Sequence, residues 1–344
     1  MNAGFFKDIL KELAAGRALG LADAHQAFDL IMAGQVPPSQ IAAFLMALRI
    51  RGESVDEIAA GALALRAKAL QVRAPENAID IVGTGGDERA TLNISTAAAL
   101  VAAGAGQPVA KHGNRAASSK CGSADVLAAL GVNLDCELKA IEAALAKAQI
   151  AFLMAPRHHP AMRHVAPVRA ELGIRTIFNL LGPLANPAGV KRLLIGVYER
   201  RLAEPLAEVM RKLGAERVWV VHGVDGLDEL SITGPSFVAA LDKGVITRFE
   251  VTPEEAGLAR ASLAELKGAD AATNALAVNA LLDGHKGAYR DIVVLNAAAA
   301  LVIAGKAPDL GSGARLAEEA IDTRRARQAL DKLIAITNEA PVHP

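Results

Sequence analysis

Aromatic side chains are scarce in this sequence: one Trp, two Tyr and eight Phe among 344 residues. That argues against a groove in which bases or sugars stack on successive rings. Charge of one sign is missing too, with 37 Lys and Arg against 37 Asp and Glu. A protein that coats nucleic acid carries a basic excess, so no nucleic-acid partner is expected. A small anion stays open, because one phosphate pocket needs only a few local charges and amides. Cysteine is nearly absent: Cys121 and Cys136 make neither a disulfide framework nor a CxxC pair. Reduced thiols fit a cytoplasmic protein. Long apolar runs are lacking as well. The longest low-charge stretch, residues 91–109, is too small and polar in its side chains to span a bilayer. Near the N-terminus, Phe5, Phe6, Ile9, Leu10 and Leu13 interleave with Lys7, Asp8, Lys11 and Glu12, which predicts an amphipathic helix and not a signal peptide. No membrane partner is expected, and no internal repeat is visible.

What is present is chain enough for one large or two moderate domains with a buried core. Residues 1–72 read as helices alone, with apolar residues at helical spacing through 24–32, 41–49 and 55–69. Breaks fall at Gly34–Pro38 and Gly52, and Ser39 and Glu53–Ser54 offer caps for the helices that follow. From Ile79 the pattern changes. Short apolar runs at 79–82, 108–110, 150–154, 193–197 and 218–221 alternate with Ala-rich helical stretches such as 95–105, 123–130 and 202–213. That alternation predicts a largely parallel sheet covered by helices. Residues 236–250 read as an appended hairpin, the chain after Asp270 as helical again, and the tail from Pro341 as frayed. The fold class is therefore α/β, with a small N-terminal helical domain. The division is 1–72 for the helical domain, to which a segment around 163–190 can return, and 73–344 for the α/β domain.

Gly83-Thr84-Gly85-Gly86-Asp87 follows the first of these strands, and Asn93-Ile94-Ser95-Thr96 opens the next helix. Glycines at such a turn let amides converge on an anion, and the helix start adds partial positive charge. The spacing is neither a dinucleotide fingerprint nor a P-loop. By itself the turn serves close packing as readily as binding. Lys111-His112-Gly113-Asn114-Arg115 follows the next strand, and Ser118-Ser119-Lys120-Cys121-Gly122-Ser123 opens another helix. Two successive strand ends with glycines, hydroxyls and cations point to a phosphate-rich small molecule at the carboxyl edge of the sheet. Asp228-Glu229, past Gly223 and Gly226, can take Mg2+, but its spacing alone favours an ordinary solvated acidic loop. Between 155 and 172, His159, Met162, Arg163 and Arg169 are spaced to share one broad helical face, where a guanidinium can clamp a carboxylate. His158, His159 and His164 lack an interleaved acid or Cys, which argues against a metal there. No Ser or Cys nucleophile motif and no flanking carboxylate pair appears.

These blocks, with Ile177–Pro187 and His222-Gly223 through Asp228-Glu229-Leu230, resemble the anthranilate phosphoribosyltransferase family, in order from about residue 5 to 335. The resemblance implies a homodimer with its active site between a helical and an α/β domain, in a fold shared with pyrimidine nucleoside phosphorylases. It implies transfer of the phosphoribosyl group of phosphoribosyl pyrophosphate (PRPP) to anthranilate. It implies PRPP binding by Gly83, Gly86, Asp87, Thr91, Asn93, Ile94, Ser95, Thr96, Lys111, His112, Gly113, Asn114, Arg115, Ala116, Ala117, Ser118, Ser119 and Ser123. Gly83, Asn114 and Arg169 would contact anthranilate, with His112, His159 and Arg163 lining its approach. Ser95, Asp228 and Glu229 would hold Mg2+. Where the family more often has Ser, this chain has Cys121. The alternatives are a pyrimidine nucleoside phosphorylase-like enzyme and a non-catalytic nucleic-acid-binding relative. Catalysis is expected to rest on positioning and charge relief without a covalent intermediate.

Overall fold

The computed structural model describes residues 2–116 and 120–339. Ala117, Ser118, Ser119 and the tail from Pro341 therefore lie outside the described residues. The chain opens with four helices, α1 (Asn2–Ala14), α2 (Leu21–Met32), α3 (Pro38–Arg51) and α4 (Val55–Ala67). Ser54 caps α4 as its sequence suggests: its hydroxyl accepts from Glu57 N at 3.2 Å, and the Glu57 carboxylate accepts from Ser54 N at 2.8 Å. Glu57 is fully buried, and it also takes Leu19 N at 2.8 Å and the Arg51 guanidinium, so one acid ties three segments together. Ser39 is not a cap. The helix starts at Pro38, whose missing N–H costs nothing in the first turn, and Ser39 lies inside it.

Five of the eleven aromatics, Phe5, Phe6, Phe28, Phe44 and Phe178, lie in or against this layer. Phe28 packs edge-on to Phe44 at 5.4 Å and to Phe178 at 6.0 Å, and Phe6 meets Phe44 at 5.7 Å. Phe178 belongs to a segment that returns from the α/β part: turns at Pro160–His164 and helices at Ala166–Leu172 and Phe178–Leu184 pack on α2, α3 and α4 in that order. Residues 155–172 are not one helix. Pro156, Pro160 and Pro167 each begin a new short element, because proline lacks the amide that would continue the preceding turn. The single broad face expected for His159, Met162, Arg163 and Arg169 is thereby broken: His159 is buried, Arg163 exposed, and Met162 and Arg169 lie between.

Seven strands form one sheet in the order β3-β2-β1-β4-β5-β6-β7. They are β1 (Ile79–Gly83), β2 (Val109–Gly113), β3 (Ile150–Met154), β4 (Arg192–Gly196), β5 (Arg217–Gly223), β6 (Ser236–Asp242) and β7 (Val245–Val251). The first five are parallel, and β6 and β7 form the appended antiparallel hairpin. The parallel strands are buried almost throughout, which is why they read as unbroken apolar runs, whereas edge strand β7 is mostly exposed. β2 extends three residues beyond its apolar run, so Lys111, His112 and Gly113 are strand residues and not loop. Helices α5 (Ile94–Gly104) and α6 (Ser123–Ala129) follow β1 and β2, and Ala271–Leu282, Ala288–Ile303, Leu310–Asp322 and Arg325–Asn338 close the chain.

Candidate active site

From β1 the chain proceeds outward to β2 and β3, then crosses back to β4 on the other side of β1. The carboxyl ends of β1 and β4 therefore flank the point where strand order reverses, the crevice in which open α/β sheets bind ligands. Both strands end in glycine, with Gly83 and Gly196 opposite each other in register. The loop after β5 lays Asp228 across them. A Cβ on Gly196 would overlap the Asp228 main-chain carbonyl, and one on Gly83 would overlap its carboxylate.

Asp228 and Glu229 are both buried there. Asp228 Oδ2 accepts from Gly85 N at 2.7 Å, and Glu229 Oε1 accepts from Ser95 N in the first turn of α5 at 3.1 Å. Buried Lys111 donates to Ile81 O at 2.6 Å and Ser95 Oγ at 3.2 Å. Burial pushes the Asp228 carboxyl well above its ordinary value, and the charges of Glu229 and Asp87 add to this. Burial also pushes Glu229 up to about 7 despite the attraction of Lys111. The ammonium is itself lowered by burial, against the pull of Asp80, Glu229 and Asp228. Three ionised carboxylates around one lysine would leave two negative charges uncompensated. That donor set suits a hard divalent cation with open positions for water or phosphate oxygen. Among the described residues no group of three or more His, Cys, Asp or Glu is placed to hold a metal ion.

Asp80, fully buried on β1, explains how the crevice continues between β1 and β2. Those strands are in paired register only at Ile79 and Val109. Beyond that, His112 N–H goes to Asp80 Oδ1 at 3.2 Å, Lys111 Nζ takes the Ile81 carbonyl, and Asn186 Nδ2 bridges Asp80 Oδ2 at 2.7 Å and Ala110 O at 2.8 Å. Side chains thus bond backbone groups along this seam of the sheet. Burial pushes Asp80 up to about 6, with Lys111 opposing.

In the loop after β1, Asp87 Oδ1 accepts from Arg89 N at 3.2 Å, the turn-orienting role open to it. Thr91 bridges Lys267 through main chain. Asn93 spends its side chain on the protein: Oδ1 accepts from Asn274 Nδ2 at 2.9 Å and Nδ2 donates to Cys121 O at 3.3 Å. Ile94 and Thr96 are buried in α5. After β2, Asn114 Oδ1 accepts from Arg115 N at 2.8 Å, and Ser123 Oγ donates to Asn114 O at 3.3 Å. Asp125 gathers this loop by accepting from Ala116 N and Gly122 N, both at 2.9 Å, and from Arg115 Nη1 at 3.0 Å. The Cys121 thiol is buried and raised, by burial first, so it remains protonated.

His112 and His159 meet edge-on at 5.1 Å, and both are buried. Burial lowers them to about 3 and about 4, with mutual repulsion adding for His112, so neither carries charge at neutral pH. His112 Nδ1 sits 3.0 Å from Gly182 O, while its Nε2 has no partner among the described residues. His158 is engaged elsewhere, with Leu70 O at 3.0 Å, and His164 packs against Gly34. The three histidines therefore do not converge. Arg169 lies with its guanidinium 5.6 Å from the Phe178 ring centre, half-buried and lowered by burial alone, and no carboxylate pairs with it among the described residues. A desolvated guanidinium without an acid is poised for an anionic group from outside.

Asp80, Asn186, Asp125 and Gly196 were not singled out as site residues by sequence reasoning. Asp80 had a signal, a charge inside an apolar strand run; Gly196 looked like any strand glycine.

The buried acid pair and the glycine loop thus meet at the switch point, where open α/β sheets take their ligands. Residues 7–69 match the helical bundle domain of the glycosyl transferase family, and residues 75–327 match its a/b domain. Anthranilate phosphoribosyltransferase of Parvibaculum lavamentivorans is 60% identical over 333 residues, 97% of this chain and 98% of that protein. The enzyme of Paramagnetospirillum magneticum is 59% identical over 98% of each chain. Among solved structures, the Thermus thermophilus enzyme matches with a TM-score of 0.91 at 46% identity, covering 96% of this chain and 99% of that one. The Saccharomyces cerevisiae enzyme in complex with PRPP and Mg matches at 0.88 and 29%, covering 96% and 97%. The chain belongs to the anthranilate phosphoribosyltransferase family.

Proposed function

We propose that this chain transfers the phosphoribosyl group of PRPP to the amine of anthranilate, releasing pyrophosphate, with the site residues acting as follows. The observation that carries the reading is the buried Asp228–Glu229 pair beside Lys111, roofed by the glycine loop at the switch point. Asp228, Glu229 and the Ser95 hydroxyl would hold Mg2+, whose charge offsets that of the departing pyrophosphate. Loop amides at Gly83–Asp87 and the Lys111 ammonium bind phosphate oxygens and fix the C1′ carbon. On the other side Arg169 holds the anthranilate carboxylate and aims the amine at C1′, with neutral His112 and His159 beside it. The C1′–N bond forms as the C1′–O bond to pyrophosphate breaks. The nitrogen then sheds one proton to pyrophosphate or water, so no strong protein base is required. With the chain divided at 72/73 and the segment around 163–190 counted with the helices, Arg169 would fall on the helical side and Ser95, Lys111, His112, Asp228 and Glu229 on the α/β side. Leu21 and Ile50, exposed on α2 and α3, support a homodimer through the helical layer. No helix among the described residues is long and apolar enough to cross a membrane; a cytoplasmic place completes the proposal.

The test is loss of anthranilate fluorescence on adding PRPP and Mg2+, in wild type and in Arg169→Ala. The variant is expected to raise the anthranilate KM about tenfold or more, the loss of a charge-assisted clamp, with the PRPP KM little changed. An unaltered anthranilate KM would remove Arg169 from the pocket.

The acid pair also sets a pH dependence. The folded Glu229 carboxyl titrates near 7 against 4.5 ordinarily, and Asp228 is likewise raised. Such groups cost nothing while protonated in both states, and they destabilise the metal-free protein as pH rises through 4.5 to 7. A cation that binds the ionised pair opposes this cost. The increase in Tm produced by Mg2+ is therefore expected to be larger at pH 8 than at pH 5; equal increases would contradict the assignment.

A further inference from the structure

We propose that Arg175 is a positioning residue that holds the glycine loop, residues 84–91, in its PRPP-binding shape from the helical side. This deepens the reading above and rests on it. The loop's backbone is costly: Gly85 and Gly86 have φ of 68° and 78°, and Glu88 and Ala90, which carry Cβ atoms, have 60° and 53°. A segment with two non-glycine residues in the left-handed region persists only where its surroundings over-determine it.

Both ends of the loop are tied down. At one end Thr84 N donates to Gly196 O at 2.9 Å and Gly85 N to Asp228 Oδ2. At the other, Gly268 N donates to Ala90 O and Leu92 N to Leu266 O, both at 2.8 Å. The middle is different. Among the described residues, Arg175 is the one group outside the loop that hydrogen-bonds a main-chain atom of residues 86–89: its Nη2 donates to the Gly86 carbonyl. The same nitrogen meets Glu88 Oε1 at 2.9 Å, and the guanidinium lies over the Tyr198 ring, 4.4 Å from its centre. Tyr198 follows β4, so its ring gives the arginine a fixed platform. The Glu88 arm, on a side chain 82% exposed, contributes little by itself. The Gly86 arm matters more, because a donor on that carbonyl fixes the peptide plane, and with it the direction of the next amide, that of Asp87.

Arg175 lies between helices Ala166–Leu172 and Phe178–Leu184, which pack on α3 and α4. One side chain therefore joins the layer that carries Arg169 to the loop that takes the phosphates. The position of the helical segment and the geometry of the loop are thereby tied together, and the acceptor pocket is linked to the donor pocket through a residue that need touch neither substrate.

The experiment compares wild type, Arg175→Ala, Arg175→Lys and Arg201→Ala. Arg201 lines the same open cleft of about 470 Å³ and pairs with Glu199, but among the described residues it hydrogen-bonds no main-chain atom of the loop. Arg175→Ala is expected to raise the PRPP KM about tenfold, leave the anthranilate KM within twofold, and speed trypsin cleavage after Arg89. Saturating PRPP should restore protection from cleavage. Arg175→Lys keeps a donor for the Gly86 carbonyl and should recover part of the loss, which keeps the test valid if the alanine variant folds poorly. Arg201→Ala should match wild type. An unchanged PRPP KM in both Arg175 variants, or an equal rise in Arg201→Ala, overturns the latch; wild type that consumes no anthranilate overturns the function itself.

Discussion

Lys111→Met is expected to lower kcat/KM at least about a hundredfold and the unfolding free energy by about 3 kcal/mol. Among the described residues the ammonium is the one buried cation facing Asp80, Asp228 and Glu229. Removing it leaves those acids without their compensating charge, and breaking a buried pair costs more than the pair's net worth. Burial already lowers the lysine's own pKa, so part of the loss is offset by removing a poorly solvated charge. The sign with pH follows from the carboxyls. Without Lys111, Asp80 and Glu229 titrate higher still than about 6 and about 7 in the folded state. The folded protein then holds protons that the unfolded chain releases, so stability falls as pH rises through that window. Urea unfolding at pH 5.5 and pH 8 should show the larger deficit at pH 8. A deficit independent of pH, or kinetics within twofold of wild type, would mean that the lysine does not neutralise this cluster.

That cluster marks where sequence reasoning stops. The parallel strands were legible because strands buried on both faces leave unbroken apolar runs, and the hairpin because segments with β-branched and aromatic residues flank Lys243-Gly244. The Ser54 capping box is a local pattern and was readable as one. Asp80 and Asn186 are 106 residues apart, and their bond takes over from a strand ladder that any local reading assumes is intact. Arg175 reaches a loop 89 residues earlier, which no spacing rule encodes. The broken helix at 155–172 is a different case. Pro156, Pro160 and Pro167 were in view, and weighting them above the spacing of His159 and Arg169 would have removed the single face.

Gly196→Ala is expected to be the more damaging of two glycine substitutions that look alike in sequence. Its added methyl would overlap the main-chain carbonyl of Asp228, which cannot rotate away. β4 cannot yield readily either, since it is paired along its length with β1 on one side and β5 on the other. The strain must therefore move the 224–230 loop. That loop is held by Asn296, which accepts from Leu230 N at 3.0 Å and donates to Leu230 O at 2.9 Å, so moving it breaks buried hydrogen bonds. A stability loss of about 3 kcal/mol or more follows, together with misplacement of both Asp228 and Glu229 and a fall in kcat/KM of at least about a hundredfold. At Gly83 the nearest atom is the Asp228 carboxylate oxygen, the end of a side chain that can swing. Gly83→Ala should therefore lose Mg2+-dependent PRPP use to a similar degree while losing much less stability. Gly4→Ala, inside helix α1 where a Cβ meets nothing within 4 Å, serves as the control and should lower neither stability nor activity. Urea unfolding and PRPP kinetics on the three variants separate a backbone wedge from a displaced ligand. Equal stability losses at positions 83 and 196 would show that Asp228 is not seated between the two strand ends.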